Sequence, residues 1–559
     1  MQQPRMQGPR CSTTALLPLL CARVLPAILV LSLPTLTMSG PAAAQQTAAS
    51  ALPRSFDEPM RLYERGLGAL TRPITTASPR AQAFFDQGLQ FLYAFTPEDA
   101  VRSFREAWKL DADCAMCFFG EAWAWGPYLN GEMGAVDAPH AFAAIRQAKR
   151  LADRRALAVE RALIDALLVR YTETHDAVVR EKLDTVYANA MAKVYATYPH
   201  DLDVGTLYAE ALMLIEPRRG TWDVSRPQVQ RIHTVLEEVL ARDVGHPGAC
   251  HLYVHATEST TRPEKAEACA DRLGLSIPGA SHINHMPSHT YNRVGRWGDA
   301  VRANIQAWHS DLKAEIGEGF AIYPSHNLHM LLFSASYDGQ GAIAIQAGKD
   351  YAKISSSASF YHVLTLLRFG RFDEVLALPV PRMNNLVQRG LVEFGRGYAH
   401  LRTGTPDSAR TYLDRVDASL REGGDSVSLR GHTATQLLGI VSGILRAELL
   451  LAVERTDEAL RILERAVAIE DGLRYDEPEP LNFAARHWLG AALLDTGRAT
   501  DAEGVYRADL ERHPHNGWSL FGLEAALRGQ GRSADADRVG ADFEAAWARS
   551  DTWIRASRF

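Results

Sequence analysis

Three short stretches carry histidine at spacings that suit a metal: ACHLYVHATES (249–259), SHINHMPSHTYNRV (281–294) and YPSHNLHMLLF (323–333). His251/His255 and His285/His289 are i, i+4 pairs, which on a helix lie one above the other within reach of a single ion. His282, His326 and His329 add further imidazoles nearby, and Glu258 adds a carboxylate that can ligate or orient a ligand. Neutral imidazole suits zinc, copper and iron, so the set points to a transition metal without choosing among them. Met286 and Met330 are close in sequence, and thioether would favour Cu(I), although either can simply fill core space. A lone helical histidine is usually structural. Seven within three neighbouring stretches are hard to treat as scatter. The competing reading is a polar groove in which the histidines hydrogen-bond a peptide or a small anionic ligand.

These residues need elements that aim them the same way. Helical apolar periodicity with short turns recurs from about residue 80, with almost no strand-like alternation. In FFDQGLQFLYAFTPEDAVRSFREAWKLDADC, Gly88, Phe91, Ala100, Phe104 and Ala107 fall where two antiparallel helices must approach closely. The same spacing returns at Tyr291, Gly295, Ala300 and Ala307, again at Gly490, Gly497, Ala502 and Tyr506, and once more at Gly531 and Ala536. Weaker copies run through Gly370, through Gly404 and through Ala459, Leu463 and Ala466. This pattern resembles the tetratricopeptide repeat of roughly 34 residues. Stretches such as CAMCFFGEAWAWGPYLN and HNGWSLFGLEAALRGQG, together with the histidine segments, also resemble a group of exported bacterial repeat proteins.

The resemblance implies an all-α fold, a right-handed α-solenoid of antiparallel helix pairs, with the first helix of each pair lining a concave groove. It covers residues 80–547, with degenerate or longer units at about 130–245; residues 45–79 form an N-terminal extension and 548–559 a tail. It places His251, His282, His285, His289, His326 and His329 on the groove side with Glu258, His255 beside them, and Asn292 and Arg293 further along. Pro287 lacks an amide hydrogen and is best tolerated in a first helical turn, so the helix is expected to begin near His285, with His282 on the approaching loop.

Other features bound the reading. Arg5, Arg10 and Arg23 precede the apolar run VLPAILVLSLPTLTM and the small residues Ala42–Ala44, the pattern of a secretory signal peptide over residues 1–44. The expected location is periplasmic or secreted, with no later segment expected to span a membrane. The formal charge of −6 falls to about −9 without the three arginines, which gives no footprint for nucleic acid. In an oxidising compartment Cys250 and Cys269, flanking the turn at Thr260–Pro263, are disulfide candidates, and Cys114 and Cys117 form a second candidate pair. The acidic RYDEPEP (474–480), broken by two prolines, reads first as a solvated loop between repeats, the alternative being a loop that swings Asp476, Glu477 or Glu479 towards the groove as ligands or a general base. No phosphate-binding glycine loop, G-x-S-x-G or H-E-x-x-H is present, so standard catalytic motifs do not decide whether the chain is an enzyme. The two functional readings are a histidine-bound metal in the groove, with or without a metal-dependent reaction, and a scaffold that binds a protein or peptide partner.

Overall fold

Helical hairpins follow one another along the chain in a computed structural model that describes Phe56, residues 58–216 and residues 222–559. The proposed signal peptide lies outside the described residues. The first pair, Pro79–Tyr93 and Pro97–Leu110, shows how sequence sets the unit. Ser78 Oγ accepts from Ala81 N (3.2 Å) and Pro79 opens the helix where its missing N–H costs nothing. The hairpin closes tightly because Gly88 has no side chain: a Cβ there would stand 2.8 Å from the Phe104 ring, and one on Gly120 of the next unit 2.4 Å from the same ring. Gly490 and Gly522 cradle Tyr506 in the same manner, at 2.4 and 2.1 Å. One aromatic thus locks its own hairpin to the following one, the nearest-neighbour packing of a repeat array. The chain is therefore an all-α, tetratricopeptide-like helical-repeat protein by its own helix pairing.

Several elements depart from a uniform repeat. Helices Ala138–Arg155 and Ala177–Thr197 run to 18 and 21 residues within the irregular stretch. A two-residue hairpin, Ser428–Leu429 against His432–Thr433, turns through Arg430 (φ 53°) and Gly431 (φ 80°), the paired positive φ of a primed hairpin turn. Helix Ala434–Leu451 is long and apolar enough to cross a membrane by length and composition alone, with a mean hydropathy of 1.4. Two-thirds of that helix (67%) is buried, and Leu437, Leu438, Val441, Ile444 and Leu445 sit in the core.

The array also packs on itself. Trp297 Nε1 donates to Pro514 O (2.9 Å), Trp518 Nε1 to Ser336 O (2.9 Å), and Arg549 Nη2 to Asp338 Oδ1 (2.6 Å). The tail beyond residue 547 is part of this closure: Asp551 accepts from the amides of Gly341 (2.7 Å) and Ala342 (2.9 Å), and the Phe559 ring lies 4.6 Å from Trp488. The last third of the chain therefore lies against the middle helices that carry the histidines. Cys114–Cys117 and Cys250–Cys269 are both disulfide-bonded, with S–S distances of 2.05 and 2.18 Å, and Trp123 and Trp125 are buried in the core.

Candidate metal centre

Helix Pro247–Glu258 begins at His246, whose side chain accepts from Ala249 N (3.1 Å), and this cap sets His251 and His255 one turn apart on its inner face. The next segment corrects the expectation for His282. Ser281–His285 is already a helical turn, and the chain stays right-handed through Met286 (φ −52°, ψ −38°) into Pro287–Val294. Pro287 removes one amide, but Ser288 Oγ donates to His285 O (2.7 Å) and no loop intervenes. His282 is consequently held on the same face as His285 and His289. Helix Pro324–Tyr337 contributes His326 from its first turn.

Six of the seven histidines form one contiguous cluster, divided into two sets. Ring nitrogens of His251, His255 and His282 all lie within 4.8 Å of one another, as do those of His285, His289 and His326. The rings of His282 and His285 are 5.3 Å apart, centroid to centroid, and join the two sets. Each i, i+4 pair thus gains a third ring from another helical segment and becomes one of two neighbouring triads. His329 does not join them. Three residues beyond His326, it is turned by about 60° around the helix, and its ring packs 4.3 Å from Tyr361.

The outer nitrogens explain the aim of the inner ones. His251 Nδ1 donates to Tyr93 O (2.7 Å) and His255 Nδ1 to Glu258 Oε1 (2.8 Å), while His289 Nδ1 bonds Glu258 Oε2. Glu258 therefore bridges two histidines from two helices and sits as an orienting carboxylate behind them, not primarily as a ligand, although His255, Glu258 and Glu477 also come within reach of one ion. With Nδ1 occupied, each of these rings presents Nε2 to the centre, the arrangement by which a second layer of hydrogen bonds fixes tautomer and orientation at metal sites.

Two inner contacts lie at hydrogen-bond distance and also near the spacing of two nitrogens on one ion. His251 Nε2 and His282 Nε2 are 3.0 Å apart, and His285 Nε2 and His289 Nε2 are 3.1 Å apart. Two nitrogens held at 2.0–2.1 Å by a tetrahedral ion are about 3.3 Å apart. Without an ion, His282 must turn its hydrogen to Nε2 to bond His251, leaving Nδ1 buried and unpartnered; His285 Nδ1 is likewise buried without a partner.

Electrostatics keeps most of the set in ligand form. Burial, then the surrounding histidines, holds His282 and His285 well below the usual imidazole range, and burial with the His289 charge lowers His326 to about 3. Burial also opposes charge on His289, but Glu258 and Glu477 outweigh it and raise that ring to about 10.

The acidic segment 474–480 is not a solvated loop. The hairpin turn aims Arg430 at it, with Nε–Oδ2 2.7 Å and Nη2–Oδ1 2.6 Å to Asp476, and Arg430 Nη2 also donates to Glu477 O (2.9 Å). Clamped there, the segment places Glu477 Oε2 3.1 Å from His289 Nδ1 and the Tyr475 hydroxyl 3.3 Å from Glu258 Oε2. Charge repulsion alone would keep this run in water; the cationic hairpin and rings hold it half-buried, with Arg474 exposed. Tyr93, Phe95, Arg430 and Tyr475 were not legible as site residues, because nothing in their spacing relates them to the histidines. Phe95 packs 4.1 Å from the His251 ring.

Of the expected groove residues, Asn292 and Arg293 line a cavity of about 290 Å³ beside His289. Arg293 donates to Glu258 O (Nε, 3.0 Å) and Thr260 O (Nη2, 3.3 Å). A second cavity, about 700 Å³, opens on His255 and Glu258 from the other side of the 474–480 segment.

No protein-family model matches the chain, and no curated protein matches it. Among solved structures it is similar to yeast Tom70 (TM-score 0.30, 13% identity, covering 84% of this chain and 92% of that one). It is also similar to Ypp1 (TM-score 0.42, 8% identity, 86% and 78%) and to the TPR domain of P58(IPK) (TM-score 0.23, 12% identity, 81% and 99%). At these scores the likeness adds nothing to the helical-repeat architecture that the hairpins themselves display.

Proposed function

We propose that this protein binds transition-metal ions in the six-histidine centre, one triad being His251, His255 and His282 and the other His285, His289 and His326. The observation that carries the reading is the bracing of Nδ1 on His251, His255 and His289 by Tyr93 O and Glu258, which turns their Nε2 atoms towards neighbouring imidazoles at metal-ligand spacing. The bound ions would supply Lewis-acid or redox chemistry beside the two cavities. Neutral imidazoles suit zinc, copper or iron. The leader-like residues 1–44 and the two disulfides support a periplasmic or secreted protein. A scaffold that reads a peptide through these histidines is less well supported: His251, His255, His282, His285 and His289 are each at most 3% exposed, and a peptide laid over them would not reach the rings.

Elemental analysis of tag-free protein tests this directly. Up to two transition-metal ions per chain are expected, with the paired change His285→Ala/His289→Ala removing about half. Added zinc or copper at a hundred times its dissociation constant should stabilise the metal-free fold by about 2.7 kcal/mol. Protein that purifies without metal and gains no thermal stability from either ion would overturn the proposal.

A further inference from the structure

The cavity beside His289 has a composition that the histidine site does not use. Its wall is apolar, built from Trp297, Met330 and Phe333, and its polar groups are mostly paired off. Glu477 lies against His289 (3.1 Å), Glu479 against His513 (3.1 Å), Asp476 against Arg430 (2.6 Å), and Arg512 against Asp471 (3.2 Å). Two guanidiniums have no carboxylate within ion-pair distance, although Arg293 lies 5.9 Å over the Tyr475 ring and its charge acts on Glu479, and Glu470 also lines the cavity. Arg293 spends Nε and Nη2 on backbone carbonyls and makes no hydrogen bond through Nη1, and Arg474 reaches only Arg430 O (3.2 Å), so neither has an ion-pair partner among the described residues. Asn292 gives an independent sign. It is 9% exposed, its Oδ1 accepts from Ser334 Oγ (2.8 Å), and its amide NH₂ has no acceptor among the described residues although the side chain lines the cavity. That nitrogen opens on the cavity, where water or a ligand oxygen can accept from it.

Two excess cations and an unmatched amide donor next to an aromatic wall describe a receptor for an anion with an apolar body. The volume suits a small molecule rather than a peptide. We propose that this cavity binds a small organic carboxylate, its acid group received by Arg293, Arg474 and Asn292 and its apolar body resting on Trp297 and Phe333. Arg293 ties the two sites together, because the same side chain holds Glu258 O, at the residue that orients His255 and His289. The ligand's place beside the ions rests on the metal reading; its binding does not.

Calorimetric titration of the full chain, as purified and after chelator treatment, separates the two. The probes are phenylacetate, its neutral analogue phenylacetamide, and inorganic phosphate. Phenylacetate is expected to bind both preparations at least tenfold more tightly than either control, and Arg474→Gln, an exposed position that leaves the fold intact, should weaken it about tenfold; Arg293→Gln should do so too. Equal binding of acid and amide, equal binding of phosphate and phenylacetate, no binding of phenylacetate to the stripped chain, or unchanged affinity in both variants would each overturn the proposal. Carboxylate binding by a protein that purifies without metal and gains no stability from added zinc or copper would sustain this site while removing the metal reading.

Discussion

Glu258 is the residue on which the centre turns, because one carboxylate holds a ring from each triad: His255 through Oε1 and His289 through Oε2. A glutamine in its place keeps the volume and one acceptor oxygen, but its NH₂ cannot accept from the second Nδ1–H. Glu258→Gln is therefore expected to lower metal affinity by about 10–100-fold with the fold retained, as loss of an orienting partner does elsewhere. A competitive chelator titration measures this; wild-type affinity in the variant would show that the bridge does not orient the rings. The residue scale also explains why His329 is separate. Packed on Tyr361, with both nitrogens buried and unpartnered, it is kept neutral by burial well below the usual imidazole range and serves the core.

At the scale of elements, the two-residue hairpin and the 474–480 segment act as one device. Arg430 at the turn grips Asp476, and the segment closes over the histidine helices. Behind it, helix Thr456–Asp471 ends with Glu470, whose two oxygens both accept from Ala485 N at 3.0 Å. Burial pushes Glu470 up to about 8, with Glu479 and Asp509 adding to the shift and the Ala485 amide opposing it. A carboxyl raised above its unfolded value of 4.5 favours the fold fully below that pH and loses its contribution as pH rises through about 8. Urea midpoints should therefore show wild type losing stability relative to Glu470→Gln between about pH 4.5 and 8, at up to about 1.4 kcal/mol per pH unit. A flat difference across that window would mean Glu470 is ionised in the folded chain at ordinary pH.

For the whole molecule, closure of the array is the decisive event. Phe559 is seated among Trp488, Tyr398 and Phe483, with ring centroids 4.6, 5.5 and 5.7 Å away, and its carbonyl accepts from the Tyr398 hydroxyl. Nearby, Ser557 Oγ donates to His487 O (2.7 Å) and Arg558 Nη1 to Glu448 (2.8 Å). Removing the buried ring, Phe559→Ala, should cost about 3 kcal/mol in chemical denaturation, the low end for a phenylalanine truncated in a core. A cost below about 0.5 kcal/mol, the range of an ordinary surface change, would place this segment outside the cooperative unit.

The hairpin architecture was written in local spacing. Gly88 with Phe104, and Gly490 with Tyr506, mark close helix approach within one repeat length, so a reader of the sequence alone recovers the fold class and the faces on which His251, His285 and His289 lie. Three things were beyond that range. His282 was assigned to a loop because Pro287 is a strong local signal, whereas the geometry depends on whether the chain can remain helical through Met286 at the cost of one amide bond. The 474–480 segment was assigned to water because its charges, taken alone, belong there, and only Arg430 and His289, 46 and 188 positions away in the chain, make its burial favourable. The grouping into two triads was likewise undetermined, since repeat spacing sets which face a side chain occupies but not how neighbouring faces converge. Periodicity is a short-range property of the chain and settles the elements; the site is made by contacts across more than 200 residues, as between Tyr475 and Glu258, and those exist only once the array has folded back on itself.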